Sequence, residues 1–312
     1  MSLSLSIATV FPIFIYLMMG IGLRRLRGIS DQTLGELNRI IFSFFFPFVM
    51  FSNIYKTSIN SVLNLRFIAA MAVMVLAISL LCVLILPRRI KDRAVLGSVI
   101  QGIIRGNSIL FALPVVSVIS GPEHTGLVSV CIAIIVPMYN IICVLILESL
   151  RGQKMPPAVI WKNLLKNPII LGALMGLVVK LLDIRFFPAM EQVIFDIARM
   201  VTPLALIMLG AGLKFSDTLR YRRELVLVSV TKLVLVPLLF VGVTLLLGYR
   251  GVPVTTAMAL SFVPTAVSTF VMAQEMGADA TLAGQIVAVT SVLSIGTVFL
   301  WVLALSSLGL IA

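Results

Sequence analysis

Long apolar runs alternate with short polar, often basic, segments along the whole chain. Runs of about 20 residues at roughly 1.5 Å per residue match a hydrocarbon core roughly 30 Å thick. The pattern predicts ten spans, at roughly 4–23, 38–55, 67–87, 95–119, 127–148, 167–183, 194–213, 225–247, 254–274 and 283–308. The second opens on polar residues before Ile40-Ile41-Phe42. The sixth is short, with Lys180 near its end, where a lysine can snorkel to the interface.

The fourth span carries the sharpest anomaly. Arg105 lies about 15 Å along it, near mid-membrane, where a charge is costly unless it faces a partner or water. Gly106-Asn107 follows at once, a pair suited to breaking a helix and restarting it. A charged, broken helix at mid-depth points to a transport site.

Composition supports a membrane protein. The 312 residues are 60% hydrophobic and 12% charged, which leaves too little polar surface for a soluble domain of this size. The net charge of +12 reads as basic cytoplasmic loops, because no stacking motif or basic amphipathic element accompanies it; nucleic acid is not expected as a partner. Cys82, Cys131 and Cys143 all fall in apolar spans and read as packing residues. No Lys or Arg precedes the first run, and Arg24, Arg25 and Arg27 follow it. The first span is therefore expected to be retained, with its N-terminus outward.

Charge asymmetry sets the expected orientation. Arg24, Arg25, Arg27, Arg88, Arg89, Lys91, Arg93, Arg151, Lys154, Lys162, Lys166, Lys214, Arg220, Arg222 and Arg223 lie in the segments after spans 1, 3, 5 and 7. The opposite side holds Lys56, Arg66, Lys180, Arg185 and Arg250. This places both termini outside.

An internal repeat is also legible. Phe11-Pro12 opens span 1 and Asn167-Pro168 opens span 6, with Gly20 and Gly176 eight residues after the respective prolines. Pro47 and Pro203, expected to break spans 2 and 7, each follow the earlier proline by 35 residues. The offset of 156 divides the chain into 1–156 and 157–312. Five spans per half invert the second half, a design that puts a substrate site at the midplane. Pro264 lies about ten residues into span 9, so spans 4 and 9 are both expected to break and to cross there. Ser98, Gly102 and Gly106 give span 4 a small-residue face for a close neighbour.

The candidate substrate-binding residues are Gln101, Arg105, Asn107, Ser108, Pro264, Thr265 and Ser268. Gln101, Arg105 and Ser108 share a face while the helix holds. Arg105 reads either as a structural charge on carbonyls freed by the break or, preferred here, as the substrate contact. Asn107 is placed to cap the restarted half-helix, to bind ligand, or both, and Thr265 is placed likewise in span 9. Two half-helix N-termini meeting at the centre favour an anion. Lys232, seven residues into span 8, is shallow enough to snorkel; Lys232, Tyr139 and Asn140 are further possible contacts. Gly20-Ile-Gly22, Gly172 with Gly176, and Gly210-Ala-Gly212 read as close-packing sites, and His124 has no assigned role. No metal or cofactor is expected.

Taken in order, Arg105-Gly-Asn107, Pro114, Gly121, Lys166-Asn167-Pro168, Pro203 through Gly210-Ala-Gly212, Lys232 through Pro237, and Pro264-Thr-Ala266 through Phe270 resemble the auxin efflux carrier family. The resemblance covers nearly the whole chain. It implies an all-α polytopic membrane protein of ten transmembrane helices, a 5+5 inverted repeat with crossing broken helices 4 and 9. It further implies a scaffold of spans 1, 2, 6 and 7, a transport bundle of spans 3–5 and 8–10, an organic-anion substrate and an elevator-like movement. The chain carries Ser268 where many bacterial relatives are expected to carry asparagine.

The function expected is a secondary carrier for a small organic anion, such as a mono- or dicarboxylate, in the plasma (inner) membrane. The partners expected are that anion, the lipid bilayer and a second copy of the chain joined through the scaffold spans. Two rivals are a sodium-coupled symporter of the bile-acid-carrier type and a membrane-embedded enzyme. Against the enzyme, no span holds a Ser/His/Asp set, a His-Glu zinc motif or paired carboxylates.

Overall fold

The computed structural model describes residues 11, 15–16, 18–26, 29–55, 64–121, 124–151, 166–212 and 220–311. The first ten residues, Pro12 and the loop lysines Lys154, Lys162 and Lys214 lie outside them. Every described segment of regular structure is helical. The helices are α1 (Asp31–Ile40), α2 (Phe46–Tyr55), α3 (Leu65–Ile85), α4 (Arg93–Ile104), α5 (Ser108–Ser120), α6 (Thr125–Leu150) and α7 (Pro168–Leu181). They continue with α8 (Pro188–Gly212), α9 (Arg222–Val230), α10 (Val236–Leu246), α11 (Val252–Ser261), α12 (Ser268–Glu275) and α13 (Ala280–Ser307). The described residues between 11 and 26 are helical as well.

Six helical stretches among the described residues are long and apolar enough to cross a membrane: Gln32–Ser52, Leu65–Arg88, Thr125–Leu150, Pro188–Gly212, Arg222–Leu246 and Ala280–Ser307. Arg93–Ile104, Pro168–Leu181 and Val252–Ser261 are apolar but shorter. This is a multi-pass helical membrane protein.

Helix starts follow local chemistry. The side chains of Ser30, Asn64, Asp92, Asn167 and Asp279 accept the first free N–H groups of α1, α3, α4, α7 and α13. Pro168 stands where its missing N–H costs nothing.

Two expected breaks do not form. Pro47 lies inside a helical run from Asp31 to Tyr55, and Pro203 inside α8. Before Pro47 the run widens into a π-helical turn, Ile41–Phe45, which makes room for the proline ring without ending the helix. A second π-helical turn, Thr231–Leu235, precedes Pro237 between α9 and α10. Pro237 has no N–H for the carbonyl of Leu233, and the indole Nε1 of Trp301 donates to that carbonyl instead, at 2.9 Å.

Glycines set the closest helix approaches. A Cβ on Gly172 would lie 2.3 Å from the carbonyl oxygen of Pro47, so α7 and α2 meet backbone to backbone. Gly176 meets Phe51 in the same way, and Gly20 meets Ile207 and Ala211 of α8. Gly22 has open space around it and Gly212 faces only the Phe270 ring, so close packing is confined to part of the expected set. Along α4, a Cβ on Gly102 would press on Ile286 of α13 and Val228 of α9, and the Ser98 hydroxyl donates to the carbonyl of Asp279. The small-residue face of α4 therefore receives α9 and α13, while Gly106 and the carbonyl of Gly102 meet the chain around Pro264.

Candidate functional site

Helix α4 stops at Ile104 and α5 restarts at Ser108; α11 stops at Ser261 and α12 restarts at Ser268. The two interruptions are hydrogen-bonded to each other. Gly106 and Thr265 form an antiparallel bridge, with the Asn107 N–H donating to the carbonyl of Pro264 at 2.9 Å. The Ala266 N–H donates to the carbonyl of Arg105 at 3.3 Å. Each break thus supplies part of the backbone pairing that the other lost, as irregular backbone buried in apolar surroundings requires.

A break strands carbonyls in and before it, and side chains from elsewhere in the chain take them. The Thr265 hydroxyl donates to the carbonyl of Gly102 at 2.7 Å, and the Tyr139 hydroxyl to that of Gly106 at 2.7 Å. The Thr265 N–H in turn donates to the hydroxyl of Thr290 at 3.1 Å.

Arg105 is 1% exposed. Its Nη1 donates to Gln101 Oε1 at 3.3 Å and approaches Met272 Sδ, and its Nη2 donates to Asn140 Oδ1 and Ser268 Oγ. The guanidinium therefore joins α4, α6 and α12 across both breaks. Its Nε and the Nε2 of Gln101 are buried donors without a hydrogen-bond partner. Among the described residues the cluster holds unpaired donors and no carboxylate, an arrangement able to stabilise negative charge.

The sequence-predicted residues divide as follows. Gln101, Arg105, Asn140 and Ser268 meet in one hydrogen-bonded cluster. Pro264 and Thr265 join the two breaks through backbone and hydroxyl bonds, and Tyr139 anchors Gly106. Ser108 is buried at the start of α5, past the break, so it no longer continues the α4 face of Gln101 and Arg105. Asn107 occupies the N-cap position of α5 but makes no side-chain capping bond. Thr265 is not a cap either, because α12 begins at Ser268 after Val267. Lys232 does not snorkel: it is 2% exposed, inside the second π-helical turn. Sequence reasoning missed Met272 and Thr290. Met272 stands four residues after Ser268, so a shared helix face was available as a signal; Thr290 carried none.

Among the described residues no group of His, Cys, Asp or Glu is arranged to hold a metal ion. Cys82, Cys131 and Cys143 are buried free thiols.

Broken helices joined at a buried cation, inside a multi-pass bundle, define a membrane protein of the transporter class. The comparisons agree. The sequence profile of a family described as "Membrane transport protein" matches residues 5–302. A Rhizobium meliloti protein named "Putative malonate transporter" is 29% identical over 152 residues, which cover 47% of this chain and 48% of that protein, about half its length. A Methanothermobacter thermautotrophicus protein named "Uncharacterized transporter" is 22% identical over 307 residues, 95% of this chain and 97% of that protein. The chain belongs to this membrane transport family, the auxin efflux carrier family, and is a transporter rather than an enzyme.

Proposed function

We propose that the protein is a secondary carrier for a small organic anion, a mono- or dicarboxylate, bound where the two helix breaks meet. One observation carries the reading: Arg105 lies buried at the paired breaks, in a donor-rich cluster without a carboxylate. Gln101, Arg105, Asn107, Ser108, Pro264, Thr265 and Ser268 line or support the site, with Tyr139 and Asn140 behind them. The N-termini of α5 and α12 both start at the breaks and add their positive ends. The relative named for malonate transport is consistent with a carboxylate substrate.

The architecture we propose is ten spans in a 5+5 inverted repeat, residues 1–156 and 157–312. Spans 1, 2, 6 and 7 form the scaffold, supported by the backbone-close contacts of Gly20, Gly172 and Gly176. Spans 3–5 and 8–10 form a bundle that moves as an elevator, with broken spans 4 and 9 crossing at its centre. Both termini lie outside the plasma (inner) membrane, on the charge asymmetry of the loops, and two copies pair through their scaffolds.

Counterflow in proteoliposomes tests this, with a panel of labelled mono- and dicarboxylates beside cationic and uncharged solutes. Exchange of at least one carboxylate is expected. Movement of a cation or an uncharged solute with no carboxylate flux overturns the reading.

A further inference from the structure

Lys232 is the second buried cation beside the breaks, and it lacks what Arg105 has. Among the described residues it makes no hydrogen bond and no ion pair, although it is 2% exposed. The widened turn Thr231–Leu235 turns it inward toward α4. A Cβ on Gly106 would lie 2.5 Å from Val263 Cγ2 and 3.2 Å from the Nζ of Lys232, so the glycine lets both side chains close on the break. There Lys232 borders a cavity of about 20 Å³. That space holds at least one water and suits a small guest.

The walls of the cavity explain what is missing. Ile78, Ile103, Ile135 and Phe240 supply apolar surface, and no acidic side chain lines it. The two hydroxyls at the wall are engaged as donors, Tyr139 to the carbonyl of Gly106 and Ser261 to that of Ala257. Beyond the ammonium, the Gly106 N–H is a further donor, for it makes no backbone hydrogen bond among the described residues. Elsewhere, Glu148 is the one buried carboxylate among the described residues, and it faces Arg151 at 3.8 Å. An unpaired buried ammonium is strongly unfavourable, and a counter-ion drawn from solution offsets that cost and holds the lysine in its charged form.

We infer that the cavity between Lys232 and Gly106 is a second anion site, distinct from the Arg105 cluster, and that it takes a small monovalent inorganic anion of the halide class. A halide suits it because the cavity is small and its walls are mostly apolar. The bound ion neutralises Lys232 and lets the break stay closed in a low-dielectric interior. The site stands on the cavity and the lysine and does not depend on the carrier reading.

The test uses the intact purified protein in detergent, moved into sodium gluconate and titrated with sodium chloride or bromide at constant ionic strength. A saturable rise of the thermal unfolding midpoint in halide is expected, together with saturable broadening of the chloride-35 resonance that bromide reverses. Lys232→Met removes the charge, and Lys232→Arg keeps it but fills the cavity; both are expected to lose the halide response. Absence of any halide response in the parent means that water fills the cavity and overturns the inference. A response retained in either variant overturns it as well, as does competitive displacement of chloride by a transported carboxylate, which would make the two sites one. Arg105→Ala separates this inference from the carrier reading: it should lose carboxylate binding and keep the halide response.

Discussion

Thr265 donates its hydroxyl to the carbonyl of Gly102, 163 residues away in sequence, at 2.7 Å. That carbonyl is the one a continuing helix would pair with the N–H of Gly106. The second half of the chain thus replaces the hydrogen bond that the first break removed.

Thr265→Val keeps the shape and removes the donor. It leaves a buried carbonyl unsatisfied, so a loss of about 1–3 kcal/mol is expected. Thr265→Ser should recover much of it. Unfolding midpoints of the three proteins in one detergent check this, and a valine variant as stable as the parent shows that the bond contributes nothing.

Arg105→Ala is expected to abolish specific carboxylate binding. Arg105→Lys should weaken it, because the charge stays and the planar fork is lost. Calorimetry on folded, purified variants measures this once counterflow has named a substrate. Binding by Arg105→Ala within about threefold of the parent, under ~0.7 kcal/mol, would make Arg105 purely structural.

Asn107→Ala is expected to leave stability within about 0.5 kcal/mol, because the side chain makes no capping bond to lose. Affinity is the informative readout for this variant. A fall in carboxylate affinity at unchanged unfolding midpoint assigns the amide to the ligand; a large drop in midpoint reveals a cap.

Gly172→Ala is expected to destabilise by about 1–3 kcal/mol, because the added methyl would enter the backbone of Pro47. The neighbouring comparison is Gly22→Ala, where open space predicts little change. Equal unfolding midpoints for the two variants would contradict the close approach of α7 to α2.

Transport is expected to need no sodium. The break region carries Arg105 and Lys232 and no acidic side chain. An inside-negative potential then favours exit of a univalent anion by about 2.3 kcal/mol per 100 mV. Flux that disappears when sodium is replaced at fixed potential refutes this.

The breaks were legible because their causes are local. Gly106-Asn107 is a poor helix interior, and Pro264 lacks a donor, whatever surrounds them. The same logic failed at Pro47 and Pro203, where the helices run on. Whether a proline ends a helix depends on whether the preceding turn can widen and on who takes the freed carbonyl. At Pro237 the answer is Trp301, from the far end of the chain. Candidate residues were legible as polar groups at apolar depth, but their partners were not. Asn107 looked like a cap and makes no capping bond, while Thr265 looked like a cap and serves a carbonyl of another helix.

By itself the sequence determined a multi-pass helical membrane protein, interrupted at Gly106 and near Pro264, with an arginine at membrane depth. Hydropathy, proline and glycine act through bonds and solvent that each segment meets alone. Only the tertiary structure decided that the two interruptions pair with each other, that Arg105 joins Gln101, Asn140, Ser268 and Met272, and that Lys232 turns inward beside Gly106. The physical reason is that a buried polar group must find its partner in space, and those of Arg105 stand up to 167 residues away along the chain.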